Sequence, residues 1–466
     1  MVFTSHVFLL GFLPLTLLGY WLLRPAALRL GWLTLASYVF YAAWSWMFLP
    51  LMLISTCTDF FAGHLIARST EASRKKALLI VALGINLGLL AVFKYAGFFA
   101  DSADGLWALL GLGKPLPVLH LVLPLGISFY TFNSMSYTID IYRRRVAPER
   151  SMLRFAAFVA LFPHLIAGPI VRYEKMAHQF ARLRPRLTAD LASRGLFFIA
   201  CGCAKKLAIA DQLAPNVNAL YSHHGQLGLM GSWLAAVGYS LQLYFDFSGY
   251  SDIAVGLALL LGFEFPQNFD SPFKAINIAD FWRRWHMSLS SWLRDYLFIP
   301  LGGSRGGSAK TVRNLAIVML LGGLWHGAAA TFVVWGAIHG VLLGGHAFLR
   351  ARGWTPSSTV FNRIATFVSI TAAFVVFRSP GLPAAGDVLG GMLGLRGLES
   401  LPSVGSVVDL RFVLTIGALL VFVNVAPNTW QLRFDGSYRR GLAYGVMLAV
   451  AILAIAGPSP FLYYQF

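Results

Sequence analysis

The chain has 466 residues, of which 57% are hydrophobic and only 12% charged, and its formal net charge is +18. Soluble domains carry about 25% charged residues, so a single water-soluble core is excluded. The positive balance reads as loop charge on the inner face of a membrane, and not as a nucleic-acid footprint. Residues 30–58, 315–349 and 441–466 carry no Asp, Glu, Lys or Arg, and each run exceeds the roughly 20 apolar residues that a membrane helix needs. Met1–Leu23 also lacks charge and has neither a basic n-region nor a small-residue cleavage site, so it reads as a retained first span.

Expected spans lie near 3–23, 30–55, 77–97, 117–138, 155–171, 192–212, 229–262, 315–332, 333–350, 363–378, 411–428 and 441–458. Basic clusters separate them: Arg68 to Lys76, Arg143 to Arg154, Arg172 to Arg186 and Arg305 to Arg313. Strand-like alternation, an internal repeat and an attached soluble domain are all missing from the pattern. The three cysteines, Cys57, Cys201 and Cys203, form no disulfide framework, and Cys201-Gly-Cys203 reads as small packing residues. Three stretches fit poorly as spans: 117–138 and 160–173, which hold Pro and Gly, and the aromatic, Arg-rich 263–305. Such backbone is tolerated at membrane depth where it lines a cavity or is buried in protein, which points to re-entrant helices around an internal chamber.

Within that last stretch, Asp280–Tyr296 is expected to be one helix. Phe281, Trp285, Leu289, Trp292 and Tyr296 recur at helical spacing, and Arg283, His286, Ser290 and Arg294 make a polar stripe. The stripe suits either arginines snorkelling from an interfacial helix or a wet site with two cations, an imidazole and a hydroxyl. Farther on, His326 stands among Gly322, Gly323 and Gly327 in the uncharged run 315–349. An ionisable residue there faces a cavity or a partner; imidazole is also the natural general base for a hydroxyl or thiol. A hydrogen-bonded structural role and a catalytic one both remain open for it. His339 would point away from His326 on a continuous helix, unless the helix breaks near Gly327 to Thr331. His339 and His346 are about 10 Å apart along a helix, too far for two ligands of one metal, and no metal site is expected.

Trp282-Arg-Arg-Trp-His286-Met-Ser-Leu-Ser, followed forty residues after His286 by Leu324-Trp-His326-Gly, resembles the membrane-bound O-acyltransferase family. Phe162-Pro-His-Leu-Ile-Ala-Gly-Pro-Ile-Val-Arg-Tyr173, Tyr244-Phe-Asp-Phe-Ser-Gly-Tyr-Ser-Asp-Ile-Ala254 and Arg294-Asp-Tyr-Leu-Phe-Ile-Pro-Leu-Gly-Gly-Ser-Arg305 narrow the resemblance to the branch that contains the alginate O-acetyltransferase membrane subunit. It extends over nearly all of 1–466.

The resemblance implies an all-α integral membrane fold: one polytopic domain of about 11–13 membrane helices, a ring of tilted helices with re-entrant helices around a central tunnel. It implies a multi-pass protein of the bacterial inner membrane. The activity implied is acetyl transfer from a cytoplasmic thioester, acetyl-coenzyme A or an acyl carrier, with no bound cofactor. The ultimate acceptor is an extracytoplasmic polysaccharide of alginate, cellulose or peptidoglycan type, reached through a periplasmic SGNH-type O-acetyltransferase subunit. By the same resemblance His326 is the catalytic base and His286 its auxiliary. Asp246, Ser248, Tyr250 and Asp252 lie near the chamber, where pairing with a cation is the structural alternative.

Arg283, Arg284, Arg294 and Ser290 would hold the donor, since a basic rim attracts an anion. The aromatic motif 461–466 holds Tyr463 and Tyr464, either as an acyl relay or as an interfacial anchor. Two rival functions remain. One is D-alanyl transfer from a carrier-protein thioester. The other is transport, for which the missing internal repeat is unfavourable.

Overall fold

A computed structural model describes residues 1–111, 121–354, 358–398, 409–432, 437–453, 455 and 462. Regular structure among the described residues is helical throughout. Among the described residues, four stretches are long and apolar enough to cross a membrane: Ala26–Arg68, Ala72–Asp104, Ala330–Ala351 and Thr359–Arg378. The chain forms two compact units, Met1–Ile199 with Ile253–Pro266, and Ala200–Asp252 with Gln267–Phe466.

In the first unit, the segment expected as one span at 30–55 is two helices, α1 (Ala26–Ser45) and α2 (Leu49–Arg68). Pro50 explains the interruption. It lacks an N–H and is tolerated only in a first helical turn, which is where α2 places it. The expected span at 155–171 also divides, into a helix Met152–Ala160 and a short turn Phe162–Leu165 that carries Pro163 in its first turn. Helices α3 (Ala72–Leu109) and α4 (Ile127–Tyr142) pack with α2 around the buried carboxylate of Asp59. Ser134 Oγ, Thr138 Oγ1 (2.5 Å) and Asn86 Nδ2 (2.8 Å) donate to it. A carboxylate among apolar helices is costly unless its lone pairs are satisfied in this way, so this knot fixes the register of three helices. His164 is consumed similarly: its ring nitrogens pair with the Phe158 carbonyl at 2.9 Å and Asn133 Nδ2 at 3.1 Å.

In the second unit, α5 (Leu229–Leu260) contributes residues up to Asp252. Next come α6 (Ile278–Arg284), α7 (Met287–Leu293), α8 (Ser308–His326), α9 (Ala330–Ala351) and α10 (Thr359–Arg378). Helices α8 and α9 form a hairpin closed by Gly327-Ala-Ala329 and packed along a seam of glycines. A Cβ on Gly336 would lie 2.5 Å from the Met319 carbonyl oxygen, one on Gly340 3.1 Å from the Ala316 Cα, and one on Gly323 would collide with the Phe332 carbonyl. Small residues permit such backbone approach between membrane helices. Gly336→Val is therefore expected to lower stability by about 3 kcal/mol, because the branched side chain meets backbone that has no rotamer to escape through. Thermal unfolding of the detergent-solubilised variant checks this, and an unchanged midpoint would contradict the close seam.

Candidate active site

The stretch Asp280–Tyr296 is not the single helix that its periodicity predicts. It is α6, an extended Trp285, His286 in the left-handed region (φ 43°, ψ 53°), α7, and a π-turn Arg294–Phe298. The cause is an upstream segment that takes over the helix's own hydrogen bonds. The Arg284 carbonyl accepts from the Asp270 N–H, and the Met287 N–H donates to the Asn268 carbonyl, each at 2.9 Å. Asn268 Oδ1 accepts the Ser288 N–H at 3.2 Å and the Ser288 hydroxyl at 2.8 Å, and Asn268 Nδ2 donates to Ser251 Oγ at 3.0 Å.

This arrangement assigns the His286 tautomer. Asn268 Oδ1 receives a backbone N–H, so that atom is an acceptor, and the His286 Nδ1 that lies 3.2 Å from it carries the proton. His286 Nε2 is therefore the bare nitrogen, buried and without a hydrogen-bond partner among the described residues. It is an atom able to accept a proton or a hydrogen bond from a hydroxyl.

His326 ends α8 and is buried. Its ring meets Trp325 (centroids 5.0 Å), Trp335 (5.0 Å) and Phe377 (5.4 Å), all edge-on. His286 reaches the same cluster, 6.2 Å from the Trp325 ring. The helix does break after His326: Gly327 is extended and α9 starts at Ala330. That break returns His339 to the site. Its ring lies 4.5 Å from Trp335, and its Nδ1 accepts the Trp282 indole N–H at 3.1 Å. His339 joins the cluster through the break near Gly327 that the sequence left open, whereas Asn268 was missed because nothing local announces it.

Arg283, Ser290 and Arg294 line one cavity of ≈ 370 Å³, together with Trp282, Met287 and Met319. Arg283 is loosely paired, 3.9 Å from Asp280, and Arg294 is bidentate on Asp295 at 2.7 and 3.1 Å. Both side chains are largely exposed and leave a positive rim. Arg284 is absent from the cavity wall and instead ties Asp280 (3.1 Å) to Asp270 (3.5 Å). His286, expected in the same stripe, does not line this cavity either, because the left-handed turn carries it inward.

On α5, Asp246 pairs with Lys206 at 2.5 Å, and Asp252 pairs with Lys205 at 2.6 Å and accepts from Thr429 Oγ1 at 2.7 Å. Both lysines belong to a π-helix, Ala204–Ala210, and a Cβ on Gly249 would stand 2.8 Å from the Gly202 carbonyl. Cys201 and Cys203 are buried free thiols there. Ser248 and Tyr250 are buried as well. The α5 motif meets His286 through other residues: Phe247, 4.7 Å from its ring, and Ser251, through Asn268. Phe247 and Ser251 are four apart and share a helical face. The Leu462 N–H donates to Asp246 Oδ2 at 3.1 Å, whereas Tyr463 and Tyr464 lie outside the described residues. Among the described residues, no group of three or more His, Cys, Asp or Glu gathers to hold a metal ion.

The profile of the membrane-bound O-acyltransferase family matches residues 118–378. The chain is 39% identical over 496 aligned positions to a probable alginate O-acetylase of Pseudomonas putida, covering 100% of both chains. It is 37% identical to a peptidoglycan O-acetyltransferase of Helicobacter pylori, covering 86% of this chain and 81% of that one. A teichoic acid D-alanyltransferase of Bacillus subtilis is 31% identical, covering 58% and 73%.

Proposed function

The chain belongs to the membrane-bound O-acyltransferase family and is a membrane O-acetyltransferase, and from that premise we propose that it passes acetyl groups from cytoplasmic acetyl-coenzyme A toward an extracytoplasmic polysaccharide. The observation that carries this reading is a shared wall. Trp282 lines the arginine-rimmed cavity and also belongs to the ring cluster that holds His326. Arg283 and Arg294 receive the phosphates of the donor, and Ser290 adds a hydroxyl. Arg284 holds α6 in place through Asp270 and Asp280.

His326 acts as the general base. It takes the proton of an acceptor hydroxyl as that oxygen bonds to the thioester carbonyl carbon. The tetrahedral intermediate then expels the thiolate, which receives the proton. The bare Nε2 of His286 orients the hydroxyl. Tyr463 and Tyr464 supply that hydroxyl and carry the acetyl onward to an SGNH-type subunit on the far side of the bacterial inner membrane. The aromatic composition of the motif supports the relay reading, and alginate-type polymer is the favoured final acceptor. D-alanyl transfer has weaker support, since that relative matches a smaller share of the chain.

The test is mass spectrometry of the 461–466 peptide after incubation with isotope-labelled acetyl-coenzyme A. Labelled acetyl on Tyr463 or Tyr464 is the expected result. Changing both to Phe is expected to abolish peptide label and polymer acetylation together; intact polymer acetylation in that double variant sinks the relay.

A further inference from the structure

Two buried N–H donors, on Trp335 against the His326 ring and on His339 against the Trp335 ring, have no acceptor among the described residues. One is the Trp335 indole Nε1, on a ring 5.0 Å from the His326 ring. The other is His339 Nε2. Its proton follows from chemistry: the Trp282 indole can only donate, so His339 Nδ1 is the bare acceptor and, in the neutral ring, Nε2 bears the hydrogen. Trp335 and His339 are essentially inaccessible to solvent, and their rings are 4.5 Å apart. An unmet buried donor is costly and uncommon; two adjoining ones next to an imidazole form a site for an electron-rich oxygen. The donor cavity is lined by Trp282, which donates to His339 Nδ1, and by Leu343, one turn from His339 on α9.

We propose that Trp335 Nε1–H and His339 Nε2–H bind the carbonyl oxygen of the acyl thioester and stabilise the oxyanion formed on it. This rests on the reading of His326 as the base. When the hydroxyl oxygen bonds to the carbonyl carbon, the carbonyl π pair moves onto oxygen and the hydroxyl proton moves to His326. The two N–H groups face the new negative charge. On collapse the pair returns, the carbon–sulfur bond breaks, and the thiolate takes the proton from His326. Trp282 acts as a positioning residue, holding His339 in the tautomer that presents a donor. Donors preset in a dry site are worth far more at the transition state than in water.

The test uses the purified full chain, acetyl-coenzyme A as donor, and thiol release as the readout. His339→Asn keeps an acceptor for Trp282 at the Nδ1 position and loses the Nε2 donor. His339→Gln keeps a donor near Nε2 and loses the bond to Trp282. The expected pattern is a fall in kcat of about 100-fold for His339→Asn and for Trp335→Phe with KM little changed. His339→Gln should recover at least about ten-fold over His339→Asn despite a lower unfolding temperature. A purely structural role predicts the reverse order, with activity following stability, and that result overturns the proposal. Wild-type kcat in His339→Asn and Trp335→Phe overturns it too while leaving the His326 reading intact, provided that His326→Ala is inactive. Full activity in His326→Ala would bring down the underlying reading itself.

Discussion

Replacing His326 by Ala is expected to reduce acetyl transfer by about 10²- to 10⁴-fold, the range by which a positioned general base accelerates proton transfer. The imidazole packs against the rings of Trp325, Trp335 and Phe377. None of these can remove a proton from a hydroxyl. Truncating a buried ring also leaves a void, at a cost of about 3 kcal/mol or more, so the loss must be separated from unfolding. His326→Gln fills more of the space and still lacks a base. Both variants should be inactive in labelled acetyl transfer, and the glutamine variant should unfold closer to the wild-type temperature. Full transfer by a folded His326→Ala protein would remove His326 from the mechanism.

Lys206→Met is expected to destabilise the protein by about 3–5 kcal/mol, the usual cost of leaving one partner of a buried ion pair uncompensated. Lys206 and Asp246 are 2% and 1% exposed, and Lys206 also reaches Asp211 at 2.7 Å. The substitution strands Asp246 among apolar helices. The double change Lys206→Met with Asp246→Asn should recover much of the loss, since it removes the charge and its counter-charge together. Because Asp246 accepts the Leu462 N–H, the single variant should also weaken the hold on Leu462. Thermal unfolding of the three proteins in one detergent provides the measurement; equal midpoints would mean that the pair contributes nothing.

The membrane character was legible because length and charge decide it: α9 lies in an uncharged run that required spans. His326 drew attention for the same reason, as an ionisable group in the middle of such a run. The local shape of 280–296 was not. Its apolar residues keep helical spacing throughout, and the break at His286 is imposed by Asn268, 18 residues earlier. A period describes a segment's own preference and carries no information about an acceptor arriving from elsewhere. The acidic residues on α5 follow the structural alternative that the sequence left open, pairing with a cation. Asp246 and Asp252 attract notice as charges, yet they are neutralised by adjacent lysines, while the apolar Phe247 and the small Ser251 reach His286.

Position 286 faces two successive filters, and torsion comes before chemistry. At φ 43° an ordinary side chain crowds its own carbonyl, glycine has nothing to crowd, and Asn and Asp tolerate the region better than most. The residues that can replace His286 without unfolding the turn are therefore few, and most of them are poor bases. Valine or isoleucine fails at the backbone before its lack of a ring nitrogen matters. Asn is the informative neighbour in sequence space, because it preserves the turn and deletes the imidazole, so the geometry and the reactivity of this one residue are inherited separately.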